Sequence, residues 1–124
     1  MLKTTLILIC SLFILNACKS ERSSTSYSFE TGHYKSYLEN KRDSSSFYRV
    51  DDLQIETYKS KIDTFQIKWK NKFEFRLKKL HPKSKLDSTD FVVKITKIKD
   101  NSYDFQAGYL NSNFKQKGST YKLK

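Results

Sequence analysis

Apolar and polar residues alternate one by one along most of this chain, and this period of two limits its fold more than any other feature. In the centre of the chain, Phe65, Ile67 and Trp69 alternate with glutamine and lysine. Such alternation is typical of strands with one buried face, because successive side chains of a strand point to opposite sides of a sheet. The pattern predicts eight strands, at residues 33–39, 45–50, 53–59, 64–70, 73–80, 91–99, 103–110 and 114–123.

Short turn segments separate these strands, and no amphipathic helical repeat competes with them. The longest connection, residues 81–90, contains the only proline, Pro82. Short strands joined by tight turns form a meander, and closing a meander into a barrel removes its exposed edges. We therefore predict an all-β domain, a single small antiparallel meander of about eight strands, folded as a lipocalin-like barrel or a strongly curved sheet.

The central hairpin is regular enough to predict a register. Residues that lie opposite each other in an antiparallel pair share a face. A three-residue loop at residues 70–72 satisfies this rule, whereas a two-residue turn at 71–72 would place Trp69 opposite Glu74. The predicted pairs are Trp69 with Phe73, Ile67 with Phe75, Phe65 with Leu77 and Lys68 with Glu74.

Two irregularities are expected in the later strands. Ile98 falls out of phase with Val93 and Ile95, which indicates a β-bulge near residues 96–97 or a change of face. Gly118 interrupts the last strand and indicates a kink there.

The first eighteen residues have the organisation of a secretory signal. Lys3 supplies a positive charge, residues 6–15 form a mostly apolar run, and the small Ala17 directly precedes Cys18. Leu15, Ala17 and Cys18 together resemble the cleavage site of bacterial lipoproteins, which implies cleavage before Cys18 and lipidation of this cysteine. The apolar run is too short to span a bilayer as a helix, which needs about 20 apolar residues.

These features divide the chain into three parts. Residues 1–17 are the predicted lipoprotein signal peptide, residues 18–28 a lipidated cysteine with a serine-rich flexible linker, and residues 29–124 the β domain. Cys10 lies in the signal, so the processed chain would keep only Cys18 and could form no internal disulfide. Two or more acyl chains on one cysteine give stable membrane anchoring.

The expected location follows from this anchor. We predict a protein of the bacterial cell envelope, attached to the outer membrane and facing the periplasm; the leaflet that carries the anchor stays open. The chain is strongly basic, with 24 Lys and Arg against 13 Asp and Glu, a net charge of +11. Loss of residues 1–17 removes Lys3 and lowers this charge to +10.

A basic surface binds anions, and the compartment decides which anions are available. In the envelope these are lipid headgroups and acidic cell-wall polymers, so no nucleic-acid partner is predicted. Lysines that merely cover the solvent face of a sheet are the simpler interpretation, and the sequence leaves both open. The candidate anion-binding face consists of Lys68, Lys70, Lys72, Arg76, Lys78 and Lys79.

The residues show no constellation typical of an enzyme. His33 and His81 are the only histidines, and neither has a metal-ligand spacing to a carboxylate or thiol. Asp51 and Asp52 fit turn chemistry, and neither a glycine-rich phosphate loop nor a G-x-S-x-G motif is present. We therefore predict a non-enzymatic binding or scaffolding domain with no cofactor and no metal.

Two more specific functions remain as alternatives. One is a basic adaptor that binds anionic envelope polymers or lipid headgroups. The other is a carrier of a small apolar ligand, since a barrel of about eight strands either holds one small molecule or is filled by side chains. The candidate ligand pocket is the barrel mouth near Trp69, Phe73 and Tyr103.

Four segments of the chain resemble a family of short lipoproteins from Bacteroidota. They are FETGHY at residues 29–34, IKWKNKFEFRL at 67–77, DNSY at 100–103 and GS at 118–119. Proteins of this family often carry the label "DNA topoisomerase IV". We interpret the label as an error, because a domain of this size has no room for an ATPase and a DNA-cleavage domain. The resemblance implies no catalytic residues.

This chain departs from the family pattern at two positions. Relatives often have cysteine where Phe73 stands and another just ahead of the F-x-T-G segment, and this chain has neither. Any disulfide that the resemblance implies is therefore absent here.

Overall fold

The computed structural model of the protein describes residues 29–40 and 42–124, which form eight antiparallel β-strands. The strands are β1 (Gly32–Leu38), β2 (Ser44–Val50), β3 (Leu53–Tyr58), β4 (Lys61–Asn71), β5 (Glu74–Lys79), β6 (Phe91–Lys99), β7 (Ser102–Tyr109) and β8 (Gln116–Lys122). Each strand pairs with the next, and β1 pairs with β8, so the sheet closes on itself. The predicted all-β meander is thus confirmed, as a closed barrel. The predicted signal peptide, Cys18 and linker lie outside the described residues.

Two strands begin more than one residue away from their predicted starts. β4 starts at Lys61, three residues early, because Lys59 and Ser60 form a two-residue turn with φ values of 44° and 67°. Such left-handed turns usually contain glycine or asparagine, and this one contains neither. β8 starts at Gln116 rather than at residue 114, and Phe114 is 70 % exposed in the preceding loop.

The β4–β5 hairpin is offset by two residues from the predicted register. Trp69 lies opposite Phe75. The face predicted for Trp69 is therefore correct, but its predicted partner, Phe73, is wrong. The register shifts between Trp69 and Asn71, and the Asn71 side-chain oxygen accepts a hydrogen bond from the Phe73 backbone N–H at 2.8 Å. The bulge and this side-chain-stabilised turn absorb the extra residues and leave Phe73 in the turn, 56 % exposed.

The bulge predicted in β6 is confirmed. The pairing of β6 with β7 shifts register between Ile95 and Lys97, which accounts for the phase of Ile98. In β8, a Cβ on Gly118 would collide with the Tyr37 carbonyl oxygen and lie 2.6 Å from the Phe105 ring. Glycine therefore lets the Phe105 ring and the backbone of β1 approach β8 closely.

The two ends of the barrel differ. The chain enters at the end that we call the base, where residues 29–31 precede β1 and the β2–β3, β4–β5 and β6–β7 turns lie. The opposite end, the loop end, carries the long connections at residues 80–90 and 110–115. The core between them consists of Phe29, Tyr34, Phe47, Ile67, Phe75, Leu77, Val93, Ile95, Tyr103 and Ala107. No helix among the described residues is long and apolar enough to cross a membrane.

Candidate functional site

A buried arginine occupies the barrel interior near the base. Arg49, on β2, is only 3 % exposed. Its Nε donates a hydrogen bond to Gln54 Oε1 at 2.9 Å, its Nη1 to the Phe29 carbonyl oxygen at 2.8 Å, and its Nη2 to the Tyr103 hydroxyl at 2.9 Å. Because a buried charge is costly unless it is hydrogen-bonded, these three bonds allow a cation to remain inside the barrel.

Aromatic rings surround the guanidinium group. Their centroids lie between 4.6 and 5.9 Å from Arg49 Cζ, and such faces attract cations through their quadrupoles. The rings belong to Tyr34, Phe47, Trp69, Phe75 and Tyr103. Phe29 adds a further ring, edge-on to Tyr103 with centroids 4.9 Å apart. Together these side chains close the base of the barrel.

Burial changes the acidity of one of these phenols. It raises the pKa of Tyr34 to about 12, although the neighbouring Arg49 charge acts in the opposite direction. The Tyr34 hydroxyl donates a hydrogen bond to the Thr31 carbonyl oxygen at 2.6 Å. Tyr34 therefore helps to hold the entering segment at residues 29–31 against the base.

The structure brings together two of the three residues predicted to line a ligand pocket. Trp69 and Tyr103 both face Arg49 at the closed base. Trp69 Nε1 is buried and has no hydrogen-bond partner among the described residues. Phe73 does not join them, because it lies in the exposed β4–β5 turn. The base is thus a packed region, and the space in the barrel lies further along its axis.

A cavity of about 190 Å³ remains inside the barrel beyond the base. Its apolar walls include Phe47, Phe75, Leu77, Phe91, Val93 and Phe105. Its polar and charged lining includes Arg49 and Glu56 together with Ser36, Ser45, Gln54, Gln116 and Thr120. The hydroxyls of Ser36 and Thr120 share one hydrogen bond, with their oxygen atoms 2.6 Å apart. The interior is therefore an apolar chamber with polar groups at a few positions.

A second cavity, which we call the vestibule, adjoins this chamber at the loop end. It has a volume of about 330 Å³ and shares Glu56, Leu77, Phe91 and Gln116 with the inner cavity. The two long connections contribute Asp87, Thr89, Ser112 and Phe114 to its wall. The chamber is consequently reached from the loop end, opposite to the point where the chain enters.

A carboxylate stands where the chamber meets the vestibule. Burial raises the pKa of Glu56 above its usual value, while hydrogen bonds from Ser45 and Gln54 lower it in part. Gln54 accepts a hydrogen bond from Arg49 through Oε1, so its amide NH₂ is free to donate to Glu56. A polar chain from Arg49 through Gln54 to Glu56 thus connects the base with the opening.

The residues of the predicted anion-binding face separate into three groups. Four of them lie on the outer surface of β4 and β5, namely Lys68, Lys70, Arg76 and Lys78. Lys72 lies in the turn at the base. Lys79 faces the vestibule instead, where its Nζ is 3.4 Å from an Asp87 carboxylate oxygen.

Two carboxylates partly neutralise the outer group. Lys68 lies opposite Arg76, not opposite Glu74 as the predicted register had it. Glu74 instead forms an ion pair with Lys70, with 3.5 Å between Lys70 Nζ and Glu74 Oε2. Arg76 pairs with Asp90, also at 3.5 Å.

The two histidines lie apart from the barrel interior. His33 stacks on Tyr48 on the outer face of β1 and β2, with ring centroids 4.1 Å apart. His81 is exposed in the loop after β5. Within residues 29–40 and 42–124, no three side chains of His, Cys, Asp and Glu lie close enough to hold a metal ion.

Sequence reasoning missed Arg49, Gln54 and Glu56 as site residues. The signal that could have found them is the alternation itself, because Arg49 has the same parity as Phe47 in β2 and must share its inward face. A charged residue at an inward position of a small barrel is a candidate site residue.

No family model, curated protein sequence or solved structure matches this chain. The function is therefore argued from the site.

Proposed function

We propose that the protein is an envelope-anchored lipoprotein whose barrel binds a small, largely apolar ligand and catalyses no reaction. The observation that carries the proposal is the chamber of about 190 Å³, closed at the base and continuous with the vestibule at the loop end. Small barrels are either filled by their side chains or hold one small molecule. An apolar concave space with a few convergent polar groups is the usual form of a ligand site.

The volumes limit the size of the ligand. Pockets for drug-sized molecules measure roughly 300–1,000 Å³. The chamber alone is smaller than this range, and only together with the vestibule, about 330 Å³, does it enter the range. The chamber by itself therefore suits a ligand with one ring and a short chain, and a larger ligand would extend into the vestibule.

The position of the barrel opening relative to the proposed anchor supports a role at a membrane surface. The chain enters at the base, so a lipid on Cys18 would tether the base and leave the loop end free. A flexible linker of ten residues, 19–28, has a typical reach of roughly 17 Å. The opening would then face the aqueous space close to the membrane.

A second candidate function is binding of anionic lipid headgroups or cell-wall polymers. The net charge of +11 and the direct opposition of Lys68 and Arg76 on the outer surface favour it. Like charges that face each other on a sheet are destabilising, and a bound anion would relieve this repulsion. Such binding would weaken with added salt, whereas binding in the apolar chamber would change little.

A blocking variant with a matched control tests the ligand site. Gln116 lines both cavities, whereas the next residue, Lys117, is exposed on the same strand. Calorimetric titration of the full chain with 2-phenylethanol, a small neutral probe, should show binding to the wild type and to Lys117→Trp. Gln116→Trp should lose about tenfold in affinity, about 1.4 kcal/mol.

Two results would contradict the proposal. One is the absence of any binding by the wild-type chain to small apolar probes. The other is equal affinity of Gln116→Trp and Lys117→Trp, both with the unfolding midpoint of the wild type, because the probe would then bind elsewhere.

A further inference from the structure

We infer that the chamber takes a small amine, a molecule with an apolar body and one protonated ammonium group that binds Glu56. This inference rests on the proposed ligand-binding function and adds the chemical class of the ligand.

The first observation is the position of Glu56. It belongs to the lining of both the chamber and the vestibule, and so do the apolar Leu77 and Phe91. A ligand that passes from the vestibule into the chamber must therefore pass the carboxylate. Its body would contact apolar walls on the way, while its polar end would lie beside Glu56.

The second observation is the charge balance of the opening. Lys79 and Asp87 both line the vestibule and pair with each other at 3.4 Å. Glu56 is the remaining charged residue of the vestibule lining, so this lining carries a net negative charge. Asp63 lies opposite Glu56 in the pairing of β3 with β4 and adds a further negative charge. The vestibule lining thus has one more acidic than basic side chain, although the whole chain is strongly basic.

The third observation concerns the positive charge inside the barrel. Arg49 makes hydrogen bonds through Nε, Nη1 and Nη2, and aromatic rings surround the guanidinium group. These bonds use three of the five N–H donors of the guanidinium group, and Arg49 lines the chamber but not the vestibule. Glu56, which lines both cavities, is therefore the charged group that a ligand entering from the vestibule meets before it reaches Arg49.

The fourth observation is that Glu56 has acceptor capacity left. An ionised carboxylate offers about four acceptor positions, and Ser45 and Gln54 use two of them. An ammonium group is a donor of three hydrogen bonds and would place a positive charge beside the carboxylate. The Arg49–Gln54–Glu56 chain holds the carboxylate in place for this contact.

A pH dependence follows from the same contact. The charged or titratable groups that face Glu56 are Arg49 on β2, Asp63 on β4 and the Lys79–Asp87 pair at the vestibule. Since burial raises the pKa of Glu56, its protonation begins at a higher pH than that of an exposed glutamate. Amine affinity should therefore fall on acidification, while the affinity of a neutral ligand should not.

Three probes of nearly equal shape test the ligand class in the full chain. They are 2-phenylethylamine, a cation, 2-phenylethanol, which is neutral, and 3-phenylpropionate, an anion. At neutral pH the amine should bind at least about tenfold more tightly than the alcohol, and the propionate should bind most weakly. Glu56→Gln should abolish the advantage of the amine and leave the alcohol unchanged, whereas the control Asp63→Asn should keep most of it.

The outcomes separate this inference from the function on which it rests. Equal binding of amine and alcohol to the wild type would overturn the ligand class and leave the ligand site standing. Failure of all three probes to bind would overturn the ligand site itself. Should Glu56→Gln fail to fold, the wild-type pH profile decides, because an amine affinity that stays constant on acidification contradicts a contact with the Glu56 carboxylate.

Discussion

Arg49 connects parts of the chain that are far apart in sequence. Its three hydrogen bonds reach the entering segment at Phe29, β3 at Gln54 and β7 at Tyr103. Each partner is buried, so none of them could form a replacement hydrogen bond with water if the guanidinium group were removed. A buried polar group without a partner costs more than its hydrogen bond contributes when made.

We expect Arg49→Met to lower the free energy of unfolding by about 3 kcal/mol, because it leaves several buried polar groups unpaired. Arg76→Met is the matched control, since Arg76 lies on the outer surface with a partly exposed ion pair. Its loss should be below about 1 kcal/mol. Urea unfolding followed by the fluorescence of Trp69, the only tryptophan, measures both. Equal losses would show that Arg49 is not a structural centre of the base.

Much of the site lay beyond prediction from the sequence because its residues meet only in the closed barrel. Arg49 is 20 residues from Phe29 and 54 from Tyr103. Alternation assigns Arg49 and Glu56 to the inward face, but it does not tell which inward positions border an unfilled space. Trp69 and Tyr103 both lie beside Arg49, and their place at the closed base depends on the entering segment at residues 29–31.

At the level of strands, the sequence predicted the fold well. Alternation of apolar and polar residues gave all eight strands and their order, and the phase break at Ile98 gave the bulge in β6. Besides the start of β8, which lies two residues later than predicted, the errors lie at two turns, at Lys59–Ser60 and next to Asn71. In both turns, the backbone conformation is set by a local hydrogen bond or by residues with left-handed φ values. Hydrophobic periodicity carries no information about either.

We expect Gly118→Ala to lower the free energy of unfolding by about 2–3 kcal/mol, since a new methyl group must displace the Phe105 ring or the backbone of β1. Lys117→Ala, at the exposed neighbouring position of β8, is the control and should change stability little. Urea unfolding of the two variants and the wild type makes the comparison. A Gly118→Ala protein as stable as Lys117→Ala would contradict the close approach of β1 and β8.

For the molecule as a whole, the two ends of the barrel differ, because the base is closed and the loop end is open. The proposed anchor lies beyond the base, so the ligand would enter and leave on the side away from the membrane. Exchange with the water phase would then not require contact with the bilayer.

The anchor itself is tested by intact mass and membrane fractionation of the protein expressed in a bacterial envelope. We expect the wild type to lack residues 1–17, to gain the mass of acyl chains and to fractionate with membranes. Cys18→Ala should lose the acyl mass, because the thioether that carries the lipid cannot form. A wild-type protein that is unprocessed and free of lipid would contradict the envelope location.

The pairing of β1 with β8 has a consequence for a protein held on a surface. The proposed anchor would confine many copies to a thin layer, where neighbours would meet far more often than in solution. A sheet with free edges would expose unpaired N–H and C=O groups and recruit strands from those neighbours. Here the first strand hydrogen-bonds to the last, so the backbone offers no template along either strand. Dense packing on a membrane is therefore compatible with this fold without the risk of edge-to-edge aggregation.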